Sequence, residues 1–334
     1  MTLWIWIAFV AFVLVMLALD LGVFNRKDHV IRAREALAWT SFWIVLALLF
    51  NVLVYYMYRD HWLGIGQDVG HPLGGKHAAI QFLTGYIIEK SLSLDNIFVI
   101  ALIFSYFKVP AQYQHRVLFW GILGALLMRG AMIGAGAALI SRFSWAIYIF
   151  GGFLVFTALR MLVGGDEPPD LEHNRLVRWT RRIYPVSEQL HGHDFFTRLP
   201  DGRRAITPLF LVLLLVESSD VIFAVDSIPA IFAVTLDPFI VFTSNIFAIL
   251  GLRSLYFVLA RLLDRFHFFR LSLVVILAYV GFKMILSHHV EIPSWVSLTV
   301  IGATLLVGVV ASLIRARVVG DTRSEQDETP RASG

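Results

Sequence analysis

The chain has 334 residues, 58% of them hydrophobic and only 16% charged, with no cysteine and a formal net charge of +4. Runs of 18 or more largely apolar residues recur along its length, which excludes a soluble globular domain and indicates a polytopic membrane protein. Absence of cysteine removes disulfides, thiolate metal sites and thiol redox chemistry, and the surplus positive charge lies in loops, where it speaks for membrane orientation and not for nucleic acid.

The apolar runs predict nine crossings, at 2–24, 37–58, 78–107, 114–139, 144–163, 206–233, 239–262, 271–287 and 294–315. The first lacks a basic flank and a small-residue cleavage site, so it reads as a retained helix and not as a signal peptide. Asp20 near its inner end is a candidate entry or gate residue, or else an interfacial acid beside Arg26 and Lys27. Before the third run, GHPLGGK (70–76) resembles a phosphate-binding loop, but His77 stands where Ser or Thr is required, so it is rejected. The third run carries Glu89, Lys90, Asp95 and Asn96 in EKSLSLDN. The fourth carries Arg129 and the small residues Gly121, Gly124 and Gly130, suited to close helix packing. The one long polar connection, 164–205, holds Trp179, Ile183 and Tyr184 among arginines; it reads as a short helix on the inner leaflet or as a plain loop that could gather partners. The sixth run holds Glu217, Asp220 and Asp226, and the seventh Asn245 and Arg253. The polar tail from Val319 is expected to be disordered.

Basic residues decide orientation, because cytoplasmic loops are enriched in them. Arg26, Lys27, Arg32 and Arg34 follow the first run, and placing them inside leaves only Arg59, Lys76 and Arg142 outside, with the N-terminus out and the C-terminus in. A weak internal repeat then emerges. Ser93-Leu94-Asp95-Asn96-Ile97-Phe98 matches Ser218-Ser219-Asp220-Val221-Ile222-Phe223, and each is followed by an arginine in the next run, Arg129 or Arg253. The two copies run in opposite directions, as inverted transporter repeats do. The expected division is two helices and loops over 1–77, a first three-helix repeat at 78–163, a cytoplasmic loop at 164–205, a second repeat at 206–287, and a last helix and tail at 288–334.

An ionised Asp at the centre of a membrane helix costs on the order of 3 kcal/mol on insertion scales, so five acids at such depth call for a cation or proton. Glu217 and Asp220, three apart, share a helix face, whereas Asp226 points away in an unbroken helix. Pro229 is expected to break that helix and free a carbonyl beside Asp226, and a tilt or an interruption is also expected near SLSLDN. Glu89, Asp95, Glu217, Asp220 and Asp226 outnumber Lys90, Arg129 and Arg253 by two charges. With Asn96 and Asn245 as neutral oxygens and no His or Cys at that depth, the set suits a hard divalent ion such as Mn²⁺ or Ca²⁺. The bland alternative is that Asp95 and Asp220 merely pair with arginines to tie helices together.

The segments EKSLSLDN (89–96), HRVLFWGILGALLMRG (115–130), ESSDVIFAVDSIPAIFAVT (217–235) and TSNIFAILGLRSLYF (243–257) resemble the TerC family of integral membrane proteins, in its Alx-like branch. The resemblance implies Mn²⁺ export, the family's intramembrane acids corresponding to Glu89, Asp95, Glu217, Asp220 and Asp226; the family is named for tellurium resistance, and some members are described as redox modulators.

The expectation is therefore an all-α, polytopic protein of the bacterial inner membrane, of about nine transmembrane helices with two inverted three-helix repeats. It would export Mn²⁺ by proton antiport, with Lys90, Arg129 and Arg253 as counter-charges and no resident cofactor. The alternatives are a membrane scaffold or redox and tellurium stress-response protein with structural charge pairs, and an intramembrane hydrolase, for which a Gly-Asp nucleophile motif and a positioned His are lacking.

Overall fold

The computed structural model describes residues 3–22, 33–66, 73–163, 175–187, 192, 194–199, 202–259, 268–287, 289–290 and 292–328. In chain order its helices are α1 (Leu3–Gly22), α2 (Ala33–Arg59), α3 (Gly75–Tyr106), α4 (Ala111–Arg142), α5 (Ala146–Val163), α6 (Arg175–Ile183), α7 (Pro208–Phe232), α8 (Pro238–Leu250), α9 (Leu252–Leu259), α10 (Phe269–Leu286) and α11 (Ser294–Glu328). The apolar runs read from the sequence are, among the described residues, mainly helical, as expected where lipid offers the backbone no hydrogen bonds, but fewer than nine qualify as spans by length and hydropathy. Among the described residues, Arg34–Arg59, Ala111–Arg142, Ala146–Val163, Pro208–Phe232 and Ser294–Ser312 are each long and apolar enough to cross a bilayer, and α8 with α9 qualifies as a pair bent by 42°, the form of a broken span or a re-entrant loop.

Three local expectations are corrected. The SLSLDN stretch does not interrupt α3, because its hydroxyls are satisfied inside the helix: Ser91 Oγ donates to the Ile87 carbonyl at 2.6 Å and Ser93 Oγ to the Glu89 carbonyl at 2.7 Å. Pro229 does not break α7, which runs on to Phe232; the proline sits in the final turn, and its own carbonyl still accepts from Ala233 N. The helix from Ser294 does not stop near 315 but continues to Glu328, through Arg, Glu and Gln residues of good helix propensity. The break that does occur lies between α8 and α9, at Gly251.

The central connection is also not purely helical. Strands β1 (Phe196–Arg198) and β2 (Arg204–Ile206) form a small antiparallel hairpin, closed through Gly202 at φ 83°, a conformation glycine adopts without strain.

At the centre α3 packs against α7 and α8, and α4 against α7 and α8. Around them, α5 pairs with α10, α2 lies on α3 and α9, and α11 covers α10 and α3. The pattern is reciprocal: the first helix of each half (α3, α7) sits on the second helix of the other (α8, α4), and the third helices (α5, α10) pack on one another. Large apolar side chains remain exposed on outward faces, such as Leu49 and Val52 of α2, Phe156 and Leu159 of α5, and Leu306 and Val307 of α11, as expected of surfaces that meet acyl chains.

Candidate functional site

Arg129 of α4 is the centre of the site, its side chain 2% exposed. The guanidinium grips Asp220 of α7 with both arms, Nε donating to Oδ2 at 3.0 Å and Nη2 to Oδ1 at 2.7 Å. Its Nη1 donates to Glu89 Oε1 of α3, and lies at the edge of hydrogen-bond range from Asn245 Oδ1 of α8 (3.4 Å) and Ser227 Oγ of α7 (3.5 Å). Asn96 Nδ2, two turns along α3 from Glu89, donates to Asp220 Oδ1 at 3.0 Å. Four helices thus meet on one guanidinium, whose planar fork is suited to this bidentate task.

The network leaves oxygens over. Glu89 Oε2 and Asn96 Oδ1 are buried without a hydrogen-bond partner among the described residues, as is Asn245 Nδ2. A cavity of about 20 Å³ opens between Asn96, Asp220 and Arg253, with Ile100, Gly121 and Val216 among its apolar walls; that is room for roughly one water. Glu217, one turn before Asp220 on α7, lies across α4 at Gly124, where a Cβ would overlap its carboxyl group. Two carboxylates, Glu89 and Asp220, share one guanidinium, and Glu217 is set beside them against Gly124 of α4.

The predicted residues do not all converge. Asp95, six positions from Glu89 in an uninterrupted helix, faces the other way, and its charge interacts with Arg270 at the start of α10. Asp226, six from Asp220, turns toward α5, where it accepts from Thr157 Oγ1 at 3.0 Å and interacts with Arg160. Among the described residues no three acidic or histidine side chains form a metal-binding group. Of the two acids for which arginine partners were expected, Asp220 is held by Arg129, whereas Asp95 feels the charge of Arg270, because helix packing and not chain order brings the partners together. Arg253 of α9 is buried and lines the small cavity. The Asp20 side chain lies outside the described residues.

Lys90, beside Glu89 in the chain, gives its hydrogen bond to the backbone. Its Nζ donates to the Ala248 carbonyl at 3.1 Å, in the last turn of α8, and occupies the space over Gly251 where a side chain would sit. The final carbonyls of α8 lack intrahelical partners, and a cation favours that end of the helix dipole.

Two contributors escaped the sequence reading. Thr157 on α5 engages Asp226. Asp237 caps α8, its Oδ1 accepting from Phe239 N (2.9 Å) and Ile240 N (3.2 Å) and its Oδ2 from the Tyr58 hydroxyl of α2 (2.8 Å). Burial raises the Asp237 carboxyl above the ordinary aspartate value, and the Tyr58 and backbone donors oppose that shift. The signal was present in Asp237-Pro238, an N-cap residue followed by proline at the first helical position.

Comparison with known proteins places these residues in context. The profile of a family described as "Integral membrane protein TerC family" matches residues 74–319. An uncharacterized membrane protein of Myxococcus xanthus is 51% identical over 94% of this chain and 93% of its own length. A protein of Escherichia coli K12 named "Putative membrane-bound redox modulator Alx" is 46% identical over 90% of this chain and 92% of its own. A membrane protein of Rickettsia bellii is 40% identical over 94% of this chain and 98% of its own. No solved structure matches the chain.

Proposed function

The chain belongs to the TerC family of integral membrane proteins, and on that premise we propose that it exports a hard divalent cation, Mn²⁺ foremost, in exchange for protons, through the carboxylates around Arg129. The observation that carries this reading is the meeting of Glu89 and Asp220, from opposite halves of the chain, at one buried point where Glu89 Oε2 and Asn96 Oδ1 have no donor. A buried polar atom left unsatisfied costs about 1–3 kcal/mol. A dehydrated cation with oxygen ligands would relieve that cost.

In this mechanism Arg129 is a tethered cation that holds the carboxylate pair between transport events. An arriving ion takes Glu89, Asp220 and Glu217, while the displaced guanidinium keeps Asn245 and Ser227 as acceptors. Return of Arg129 to the pair drives release, and a carboxylate freed of both cations in so dry a place takes up a proton. Asp95 and Asp226 face outward from this centre and are assigned to the path of entry or exit. The reciprocal packing of α3–α5 and α7–α10 supports two inverted three-helix units about a site near mid-membrane. The charge rule supports an inner-membrane protein with its N-terminus outside and its C-terminus inside.

One observation favours a second reading. Asp220 is closed bidentately on Arg129 beside a cavity of only about 20 Å³, which suits a structural tie inside a membrane scaffold of a redox or metal stress response. With no cysteine in the chain, a redox role would be indirect. Reconstitution in liposomes separates the two. Mn²⁺ flux should respond to a pH gradient and fall by about ten- to a hundredfold in Asp220→Asn and Glu89→Gln, the loss of one charge-assisted contact. Unchanged flux in both variants, with lowered thermal stability, would leave the scaffold reading in possession.

A further inference from the structure

The helix α6 plays no part in the ion site, and its surface is unlike the rest of the molecule. It carries Arg175, Arg178, Arg181 and Arg182 in nine residues and no acid. Val177 and Thr180 are buried, with Val177 packed into the cluster of Ile206, Leu209 and Val212. Trp179 is 62% exposed and Ile183 49%, and Tyr184 just beyond is also exposed. At about 100° per residue, Trp179 and Ile183 share one stripe and Arg178 and Arg182 the next, both turned from the buried face.

The height of this surface is set by its anchorage. After α6 the chain is stitched to β2: Ile206 N donates to the Pro185 carbonyl at 3.0 Å, Ser187 N donates to the Ile206 carbonyl at 2.9 Å, and two residues later Pro208 opens the membrane-spanning α7. Phe196 of the hairpin is 64% exposed beside Phe210 of α7. An aromatic and cationic surface is therefore tied to the end of a span, at the level where acyl chains give way to headgroups.

We infer that α6 is a docking helix for anionic phospholipid, with Trp179 and Ile183 entering the acyl boundary and Arg178, Arg181 and Arg182 holding headgroup phosphates. An arginine near an anionic leaflet gains on the order of a fivefold preference, so three make composition decisive. The inference stands whether or not the carboxylate site carries Mn²⁺. Through Val177, lipid held at α6 bears on the entry of α7, the helix that carries Glu217 and Asp220.

The test is hydrogen exchange of the 175–184 backbone in the full chain, in nanodiscs of phosphatidylcholine with and without enough phosphatidylglycerol to give a surface potential of about −30 mV. Exchange should slow by at least about tenfold in the anionic discs and recover at high salt. Arg178→Gln/Arg181→Gln/Arg182→Gln should lose the difference, the corresponding lysine triple variant should retain most of it, and both should melt as the parent does. Quenching by brominated acyl chains should fall in Trp179→Phe. Equal exchange in both discs, or anionic protection that survives in the glutamine variant, would overturn the assignment, as would protection in zwitterionic discs conferred by added RNA alone.

Discussion

Gly124 on α4 and Gly251 between α8 and α9 are used alike and to opposite ends. Each lies in the second helix of one half and receives a long charged side chain from the first helix of the other half: Glu217 of α7 at Gly124, Lys90 of α3 at Gly251. At Gly251 the helix breaks, and the Ala248 carbonyl takes the ammonium. At Gly124 the helix is continuous and its N–H groups are spent within it, so the Glu217 carboxylate, which only accepts, finds no backbone donor there. One side of the molecule settles its charge on a helix end. The other gathers carboxylates around Arg129 and keeps a negative excess, and that asymmetry supports a cation site on the α4–α7 side alone.

The largest expected effect comes from removing the guanidinium. Arg129→Ala strands Glu89 and Asp220 without their partner, and breaking a buried pair in this way costs about 3–5 kcal/mol, read as a large fall in melting temperature in detergent. If Arg129 is a tethered cation, Mn²⁺ should recover part of that loss, about 2.7 kcal/mol at a hundredfold excess over its dissociation constant. No recovery at any Mn²⁺ concentration would count for a structural tie.

Gly124→Ala pushes aside the flexible end of Glu217, a small cost that the gain of about 1 kcal/mol in helix propensity offsets, and should reduce Mn²⁺ flux with little change in stability. On the other side, Lys90→Met removes a buried charge together with its bond to Ala248, so the two effects partly cancel and about 1 kcal/mol is expected. Flux should survive in this variant; its loss would place Lys90 in the transport path and erase the contrast between the two glycines. The smallest change is Tyr58→Phe, which leaves the Asp237 cap with its two backbone donors and should cost about 1 kcal/mol. A melting temperature unchanged within error would show that α2 is held by packing and not by this hydrogen bond.

The helices were legible from the chain because a long apolar run in lipid has one way to satisfy its backbone. The buried charges were legible too, Glu89, Arg129, Asp220 and Arg253 standing out against apolar neighbours. Their grouping was not. Asp95 looked equivalent to Asp220 by its flanking residues, yet six residues of unbroken α3 carry it to the side of Arg270. Pro229 is a strong breaker by type, yet α7 runs three residues beyond it to Phe232. Gly251 is the weaker breaker by type, and the Lys90 that meets the helix end there comes from about 160 positions earlier, beyond any local reading.

Sequence alone determined that this chain spans a membrane, which long apolar stretches are helical and which charges lie within them, since each of these follows from local hydropathy and backbone hydrogen bonding. Only the tertiary structure decided that Arg129 belongs to Asp220 and Glu89, that Asp95 and Asp226 stand apart, and that Lys90 ends on a broken helix. A charge carries no local preference among distant partners of opposite sign; helix packing selects one by bringing it within about 3 Å in a medium too dry for any other compensation.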